Sequence, residues 1–397
     1  MRSKTVLISG ASIAGPALAY WLSRYGFAVT VVERAPQLRP GGQAVDFKGE
    51  THRDLLQRMG ILEEVYAHRT GTTDTVFVDD NGEQLAFMSG DFTGGDVEIL
   101  RGDLARIMYE KTYQSCEYVF GDSISALTET DSGVWVEFEK GAPRSFDLVL
   151  GADGIHSRVR RLAFGPEKDF VQHKGHYYCV AGASPWATRP EGEPERATAF
   201  GHNAPGRLVI TGGPKAQQLY MFVAPELDYA RDDVAAQRRI VRDAFAGMGW
   251  QVPRMLSEVE EFDDFYLDAI AMVRPMKSYA CGRIALVGDA GYGNTLAGFG
   301  TGAAVVGAYV LAGELAIAEG DHTVAYGRYN EIMRKYTKLA DSADAGRFLC
   351  PKTARGIRFR NWFLGSKGMA MMEKMSENAK TVDLKDYPAL VSAADAH

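Results

Sequence analysis

The sequence predicts an α/β fold: a parallel-sheet domain opened by a βαβ unit, a second domain on a mostly antiparallel sheet, and C-terminal helices. Three observations predict it. Residues 5–32 read as strand, glycine turn, helix and strand. Residues 171–274 are rich in short β-branched and aromatic runs, the composition of strands that pack on a pleated surface. Residues 283–318 return to a buried strand, a glycine-rich loop and a long helix of small residues. With 397 residues, 46% of them hydrophobic and 24% charged, the chain can bury a large core and is too apolar for disorder.

Each element has its own reason. Thr5 to Ser9 is a β-branched and apolar run that suits a fully buried strand. Gly10-Ala11-Ser12-Ile13-Ala14-Gly15 turns the chain into a helix from Pro16 to Tyr25, with Gly26 placed to end it. Phe27 to Val32 is a second strand, closed by Glu33-Arg34. Two strands joined through a helix imply a parallel pair. Thr51 to Tyr66 is helical in period, Phe77 to Phe87 alternates about Asp80-Asn81-Gly82 as a hairpin, and Arg101 to Lys111 is helical again. Short strands follow from Tyr118 to Leu150. His176 to Val180, Arg207 to Ile210 and Leu219 to Val223 build the second sheet. Arg283 to Val287 re-enters the first sheet, and a helix runs from near Thr301 to about Ala318. Tyr326, Tyr329, Ile332, Met333 and Tyr336 then recur at helical spacing, before a basic stretch from Arg355 to Arg360. The expected division is a discontinuous first domain of residues 1–170 and 275–345, with a hairpin insertion near 76–97. Residues 171–274 form the second domain, and residues 346–397 a helical C-terminal region.

Several function classes are excluded. Net charge is −7, with Lys and Arg scattered, so the electrostatic footprint of a nucleic-acid binder is missing. Cys116, Cys179, Cys281 and Cys350 form no CxxC pair, which points to reduced thiols in a cytoplasm rather than a disulfide framework or zinc site. The apolar stretch after the N-terminal charges is too short for a signal peptide, and no run of about 18 apolar residues is found, so no membrane span is expected. His173 and His176 lie in a strand-like segment without a nearby acidic ligand, so no metal is expected there. Ser157 lacks the GxSxG frame of a nucleophile elbow.

The chemistry is carried first by the glycine turn. Gly10 permits the sharp bend, the small second residue Ser12 lets backbone amides, with those of Ile13 and Ala14, approach a pyrophosphate, and Gly15 lets helix and strand pack closely. The helix N-terminus faces the phosphate charge. Glu33, beside Arg34, lies where a carboxylate accepts both ribose hydroxyls of an adenosine and repels a 2′-phosphate. The bound nucleotide is therefore FAD or NAD in a Rossmann-like domain.

Two later segments bring a family resemblance. Asp147-Leu148-Val149-Leu150-Gly151-Ala152-Asp153-Gly154-Ile155-His156-Ser157-Arg158-Val159-Arg160 resembles the DG motif of flavoprotein aromatic hydroxylases, and Gly282-Arg283-Ile284-Ala285-Leu286-Val287-Gly288-Asp289-Ala290 resembles their GD motif. The likeness extends over at least residues 3–345. It is greatest to the tetracycline-inactivating and antibiotic-tailoring monooxygenases, through Gly41-Gly42-Gln43-Ala44-Val45-Asp46 and Val306-Gly307-Ala308-Tyr309-Val310-Leu311-Ala312-Gly313-Glu314-Leu315. The resemblance implies a para-hydroxybenzoate hydroxylase-like fold that binds FAD. NADPH or NADH reduces it transiently, and O2 hydroxylates an aromatic or polycyclic small molecule through a flavin C4a-hydroperoxide.

It also implies roles by position. Gly288 and Asp289 meet the ribityl chain, while Gly298, Gly300, Thr301 and Gly302 bring backbone amides to the flavin pyrimidine edge. Asp153 and Gly154 touch FAD and the nicotinamide route. Arg101 reaches the phosphates or ribityl chain, and Asp46 contacts the flavin. Arg39 and Arg158 are nicotinamide-cofactor candidates, Arg39 equally an ordinary loop charge. Thr295 stands where relatives carry a proline; it leaves a looser loop with an unused N–H and a hydroxyl beside the flavin. Tyr178, Phe200, Phe222 and Met272 are the pocket candidates on the second sheet. A monomer or homodimer is expected. Two other readings stay open: a flavin protein that binds a ring compound without oxygen transfer, and a flavin dehydrogenase or oxidase.

Overall fold

The computed structural model describes residues 4–39, 42–93, 95–183, 196–213, 216–296, 298, 300–338, 344–366 and 384–387. The chain opens with β1 (Thr5–Ser9), α1 (Ala14–Arg24) and β2 (Ala28–Glu33). It continues through β3 (Ala44–Phe47), α2 (Glu50–Arg58), α3 (Leu62–Ala67), the hairpin β4 (Thr72–Val78) and β5 (Gln84–Met88), the turn α4 (Gly90–Thr93), β6 (Val97–Leu100) and α5 (Arg101–Glu110). Next come β7 (Glu117–Phe120), β8 (Ile124–Thr130), β9 (Gly133–Phe138), β10 (Arg144–Phe146), β11 (Leu148–Gly151), α6 (Arg158–Ala163) and α7 (Glu167–Phe170). The second sheet region holds β12 (Val171–Ala181), β13 (Arg196–Ala204), β14 (Arg207–Thr211), β15 (Gln218–Val223), α8 (Val234–Phe245), α9 (Val252–Glu258) and β16 (Phe265–Val273). The chain then returns with β17 (Ala280–Cys281), β18 (Ile284–Leu286), α10 (Asp289–Tyr292) and α11 (Gly300–Ile317), and ends in α12 (His322–Thr337), α13 (Ala345–Leu349) and α14 (Ala354–Leu364).

The first sheet has the order β17-β18-β11-β1-β2-β7, parallel except for β17. β1 sits at its centre with Leu7 opposite Val149 on one side and Thr30 on the other. Both faces are covered, so β1 and β11 are apolar runs rather than alternations. β18 joins β11 late in the sequence, which carries the segment after it back to the ends of β1 and β11.

The second sheet has the order β16-β12-β15-β14-β13-β4-β5. It is mixed: β4 pairs parallel to β13, Thr72 opposite Arg196. The hairpin read from the sequence as an insertion in the first domain thus hydrogen-bonds into the second sheet, because β4 finds the open edge of β13. Residues 234–258 hold α8 and α9, read from the sequence only as part of a sheet-rich region. They cover one face, where Phe245, Val241 and Met255 meet Tyr177, Tyr220 and Phe222. The other face carries Tyr178, Val180, Met221 and Ile270, and meets Leu296, Cys350 and Leu364.

The single helix expected over residues 51–66 is two, α2 and α3, parted at Gly60 with φ +66°. α11 is buried on nearly every side between α1 and α12. Its 18 residues, mean hydropathy 1.5, are long and apolar enough to cross a membrane by composition, which corrects the expectation that no such run exists. Its position is that of a core helix: a Cβ on Gly307 would lie 1.9 Å from Tyr292 Oη, so α10 and α11 touch backbone to ring.

Candidate cofactor and substrate site

The glycine turn after β1 requires its glycines. Gly10 has φ +106°, and a Cβ there would stand 2.5 Å from Ala152 O; a Cβ on Gly15 would stand 1.8 Å from Gly10 O. The turn is thereby pressed against the end of β11, and the amides of Ser12 to Gly15 open α1. The N-cap residue Ile13 supplies no side-chain acceptor and the first turn has no acid, so anionic ligand oxygens suit these amides. Glu33 Oε2 accepts from Ala11 N–H and Oε1 from Ala35 N–H, both at 2.8 Å. Each carboxylate oxygen retains acceptor capacity for a ribose hydroxyl.

Arg101, at the start of α5, comes to the same turn: Nη1 donates to Ser12 Oγ at 3.4 Å, and a Cβ on Gly42 would lie 3.1 Å from its guanidinium. Arg34 and Arg39 are exposed, and the segment between them lines a surface cleft of about 340 Å3. Asp46 lies on β3, opposite Glu98 of β6.

Beyond β11, Asp153 caps α6. Oδ1 accepts from Ser157 Oγ–H at 2.5 Å, and Oδ2 from the amides of Arg158 and Val159 at 2.8 and 3.1 Å. Burial pushes its carboxyl up, against the pull of those donors. The expected cofactor residue is thus largely engaged by the start of the helix that follows it, α6. Gly154 follows at φ +81°. Arg158 is directed elsewhere: Nη1 bonds Ser123 Oγ at 2.7 Å, Ile124 O at 3.1 Å and Glu139. The sequence reading missed Arg160, which is fully buried and donates to Ala290 O at 2.7 Å and Ile155 O at 2.5 Å. It ties the segment after β11 to α10, and its mid-helix position offered no sign of this.

Gly288, φ +64°, brings α10 against both α1 and α11; a Cβ there would meet Ala14 at 3.0 Å and Ala304 at 3.3 Å. Asp289 is enclosed by enough protein that burial alone raises its carboxyl pKa, yet its surface is exposed to water. That combination describes a side chain on the wall of a recess. Gly300 lies beside it, a Cβ there being 3.4 Å from Asp289 Oδ1. Thr301 follows in the first turn of α11, and Gly302 is glycine because the His52 ring occupies the space of its Cβ, 2.2 Å away. Gly298 is exposed with φ +70°. Ala297 and Phe299, like Gly41 and Trp186, lie outside the described residues.

The loop between them corrects the expectation for Thr295. Its N–H is not unused: it donates to Ala271 O at 2.9 Å, and its Oγ1 accepts from Ala271 N–H at 3.4 Å. Val273 N–H donates to Gly293 O at 2.7 Å, and Met272 bridges Asn294. The loop is zipped to β16 rather than loose, and Leu296 follows in the left-handed region, φ +59°.

The period of two sorts the pocket candidates. Tyr178 and Met272 lie on the face toward Leu296. Phe222 lies on the opposite face under α8, and Phe200, paired with Val76, is 44% exposed on that same face. Neither suits a pocket beside the loop, which corrects the sequence expectation. Tyr178 shares its face with Leu296, and Met272 of the same face bridges Asn294, so the second sheet meets the loop that follows Asp289 there.

A polar chain on that face was not anticipated. Tyr266 Oη donates to Asp268 Oδ2 at 2.6 Å, and Asp268 Oδ1 lies 3.3 Å from His156 Nε2. His156 Nδ1 is 2.8 Å from Glu167 Oε1, and Arg231 Nη2 is 2.5 Å from His156 Nε2. Among the described residues no three side chains gather as a metal site; His176 Nε2 instead faces Cys350 O at 3.2 Å. All four cysteines are unpaired.

The chain is similar to known proteins over most of its length. The profile described as "FAD binding domain" matches residues 3–325. A flavin-dependent monooxygenase from an unknown prokaryotic organism is 39% identical over 350 residues, 85% of this chain and 87% of that one. One from Legionella longbeachae serogroup 1 is 37% identical over 343 residues, 83% and 85% of the two chains. The crystal structure of tetracycline destructase Tet(51) superposes with a TM-score of 0.81 at 31% identity, over 97% of this chain and all of that one.

Proposed function

This chain belongs to the FAD binding domain family and is an FAD-dependent monooxygenase of aromatic or polycyclic small molecules, and we propose that NADH or NADPH supplies its electrons. Bound FAD would supply what side chains lack, a carrier for two electrons from the nicotinamide that lets O2 give one oxygen atom to an electron-rich carbon while the other leaves as water. The observation that carries the reading is the convergence of the Gly10–Gly15 turn, Glu33, Arg101 and the Gly288–Asp289 segment, whose following loop packs on the second sheet.

The residues divide the work by their chemistry. Glu33 accepts the adenosine ribose hydroxyls, the first turn of α1 and Arg101 take the pyrophosphate, and Asp289 accepts ribityl hydroxyls from its recess wall. The amides of Gly300, Thr301 and Gly302 face the pyrimidine edge. The loop zipped to β16 through Gly293 and Thr295 forms the wall that keeps water from the reacting atoms. Ring substrates lie against the face that carries Tyr178 and Met272. Arg39, exposed beside the cleft of residues 34–39, is the stronger nicotinamide candidate, since Arg158 is committed to Glu139 and Ser123. We place the protein in the cytoplasm as a monomer or homodimer, with its two units dividing near residues 170 and 275.

Purified protein should be yellow and release FAD, not FMN, on denaturation, because the Gly10–Glu33 site holds an adenosine diphosphate. Glu33→Arg should lose most of its FAD. With a ring substrate, 18O2 should label the product as NAD(P)H is consumed; unlabelled product would assign the chain to the dehydrogenases instead.

A further inference from the structure

The motif of residues 306–315 lies in α11, beyond the first turn that faces the cofactor. Glu314 is the sole charged residue among the 18 of α11, and it is 1% exposed. Gly313 beside it weakens a helix interior relative to alanine. Both are unfavourable to the helix itself, and one segment of the chain answers both. Residues 384–387 pack on the first core through Leu384 and Tyr387. The Tyr387 ring takes the place of a side chain on Gly313, where a Cβ would stand 2.3 Å from it. Its hydroxyl donates to Glu314 Oε1 at 3.0 Å, and Lys385 Nζ donates to the same oxygen at 3.1 Å. Glu314 Oε2 accepts no hydrogen bond among the described residues, Arg328 Nη1 standing 3.6 Å from it.

The remaining contacts reach α2. Arg58, the last residue of that helix, donates through Nη1 to Asp386 Oδ1 at 2.6 Å and to Tyr309 Oη at 3.0 Å. Tyr309 Oη in turn donates to Lys385 O at 3.0 Å. The Tyr309 ring meets Tyr387 edge-on at 4.9 Å and Trp21 of α1 at the same distance. Near its other end α2 meets the flavin end of α11, where the His52 ring fills the space of a Cβ on Gly302. The two helices therefore touch near both ends of α2, and residues 384–387 join them at the end away from the flavin.

We propose that residues 384–387 are a docking segment recognised by a surface of α1, α2 and α11, and that its docking holds α2 against α11 so that FAD is retained. The inference rests on the FAD reading, in which the amides of Gly300, Thr301 and Gly302 face the pyrimidine edge. Lys385, Asp386 and Tyr387 are positioning residues, which act on the cofactor through α2 and α11. The surface reads each of them by different chemistry. Glycine leaves room for an aromatic ring, a buried carboxylate takes the phenolic and ammonium donors, and an arginine takes the carboxylate. Undocked, Arg58 loses Asp386 and keeps only Asp54 and Tyr309, so the α2 end is held by fewer bonds.

The test is the rate of FAD release from the loaded chain, followed by flavin fluorescence after dilution, with the urea midpoint of each FAD-free variant measured alongside. Tyr387→Ala should release FAD about three- to tenfold faster than native protein, the range over which a coupled contact remote from a ligand acts. Tyr387→Phe keeps the ring over Gly313 and loses only the proton given to Glu314, so it should fall between the two. Gly313→Ala separates docking from helix stability. Alanine favours the helix but displaces the ring, so alone it should speed release as Tyr387→Ala does. In the Tyr387→Ala background the same substitution should add nothing, because the ring it displaces is already gone. Native FAD release in Tyr387→Ala would overturn the proposal, and with a lowered urea midpoint it would make the segment a brace for the fold alone. Effects of Gly313→Ala and Tyr387→Ala that simply add would overturn it as well. Failure of the native protein to bind FAD would overturn the FAD reading instead, so the two failures are distinct.

Discussion

Asp289 illustrates how one residue trades stability for binding. Burial raises its carboxyl pKa, so ionising it in the protein without ligand carries a cost that hydroxyl donors would offset. Asp289→Ala should weaken FAD binding by roughly ten- to a hundredfold, the loss of a charged acceptor worth about 1.5–3 kcal/mol. The FAD-free variant should be no less stable than FAD-free native protein. Native FAD affinity in a titration of the variant would remove Asp289 from the cofactor. Thr295 reverses an expectation of the same kind. A proline there would delete the N–H that bonds Ala271 O and the hydroxyl that meets Ala271 N–H. Thr295→Pro should therefore loosen the wall and raise the H2O2 released per NAD(P)H oxidised; a fall in that fraction would show that ring rigidity outweighs the lost bonds. At this scale the sequence was readable where backbone geometry dictates the residue, as at Gly10, Gly15 and Gly288. It was silent where a partner is remote: neither Ala271 behind Thr295 nor Asp268 behind Tyr266 is announced by spacing.

The elements were legible when their period stood alone and hidden when a neighbour masked it. β1, α1, β2, α5 and α11 carry unmixed patterns and lie close to the spans read from sequence. α8 escaped notice inside a strand-rich stretch, although Gln237, Val241 and Phe245 repeat at four-residue spacing and form its buried face. That helix is why Phe222 is core rather than pocket: Phe245 packs edge-on against it at 5.9 Å and against Tyr220 at 5.1 Å. Phe245→Ala should cost about 3–5 kcal/mol, as for a large aromatic removed from a closed core, while FAD affinity stays native because the opposite face bears the ligand side. Urea unfolding and a flavin titration on the same variant check both halves, and a parallel loss of FAD affinity would contradict the sorting of the two faces. The partnership of β4 with β13 could not have been read in advance. A parallel pair between strands so far apart in sequence is decided by which sheet edge is open, not by anything local in either strand.

At the scale of the molecule, the two sheets are joined by charge as well as by packing, and His156 is the junction. It sits between the turn after β11, Glu167 of α7, Asp268 of β16 and Arg231 before α8, with Arg161 completing the set at 3.1 Å from Glu167. Burial, the largest influence, opposes the ionised forms, but the partners prevail: the Glu167 carboxyl is brought down to about 2 and the His156 imidazole is raised. The two shifts act on opposite sides of neutrality. Glu167 titrates near 4.5 when the chain is unfolded, so its contribution is complete above that pH and is lost as pH falls toward 2. His156 titrates near 6.5 when unfolded, so its contribution is complete below that pH and is lost as pH rises through the higher folded value. The junction is therefore strongest between about pH 4.5 and 6.5. Glu167→Gln keeps the shape and removes the charge, and Glu167 is partly exposed, so the expected loss in that window is only about 1 kcal/mol. The gap in unfolding midpoint between native protein and variant should close as pH falls to about 2 and below, where Glu167 of the native protein becomes protonated in the folded chain as it already is in the unfolded one. Above pH 6.5 it should narrow only in part, because Arg161 keeps its charge when His156 loses its proton. A gap that stays constant from pH 2 to 8 would mean that Glu167 serves packing alone and that the sheets are held together by their apolar contacts.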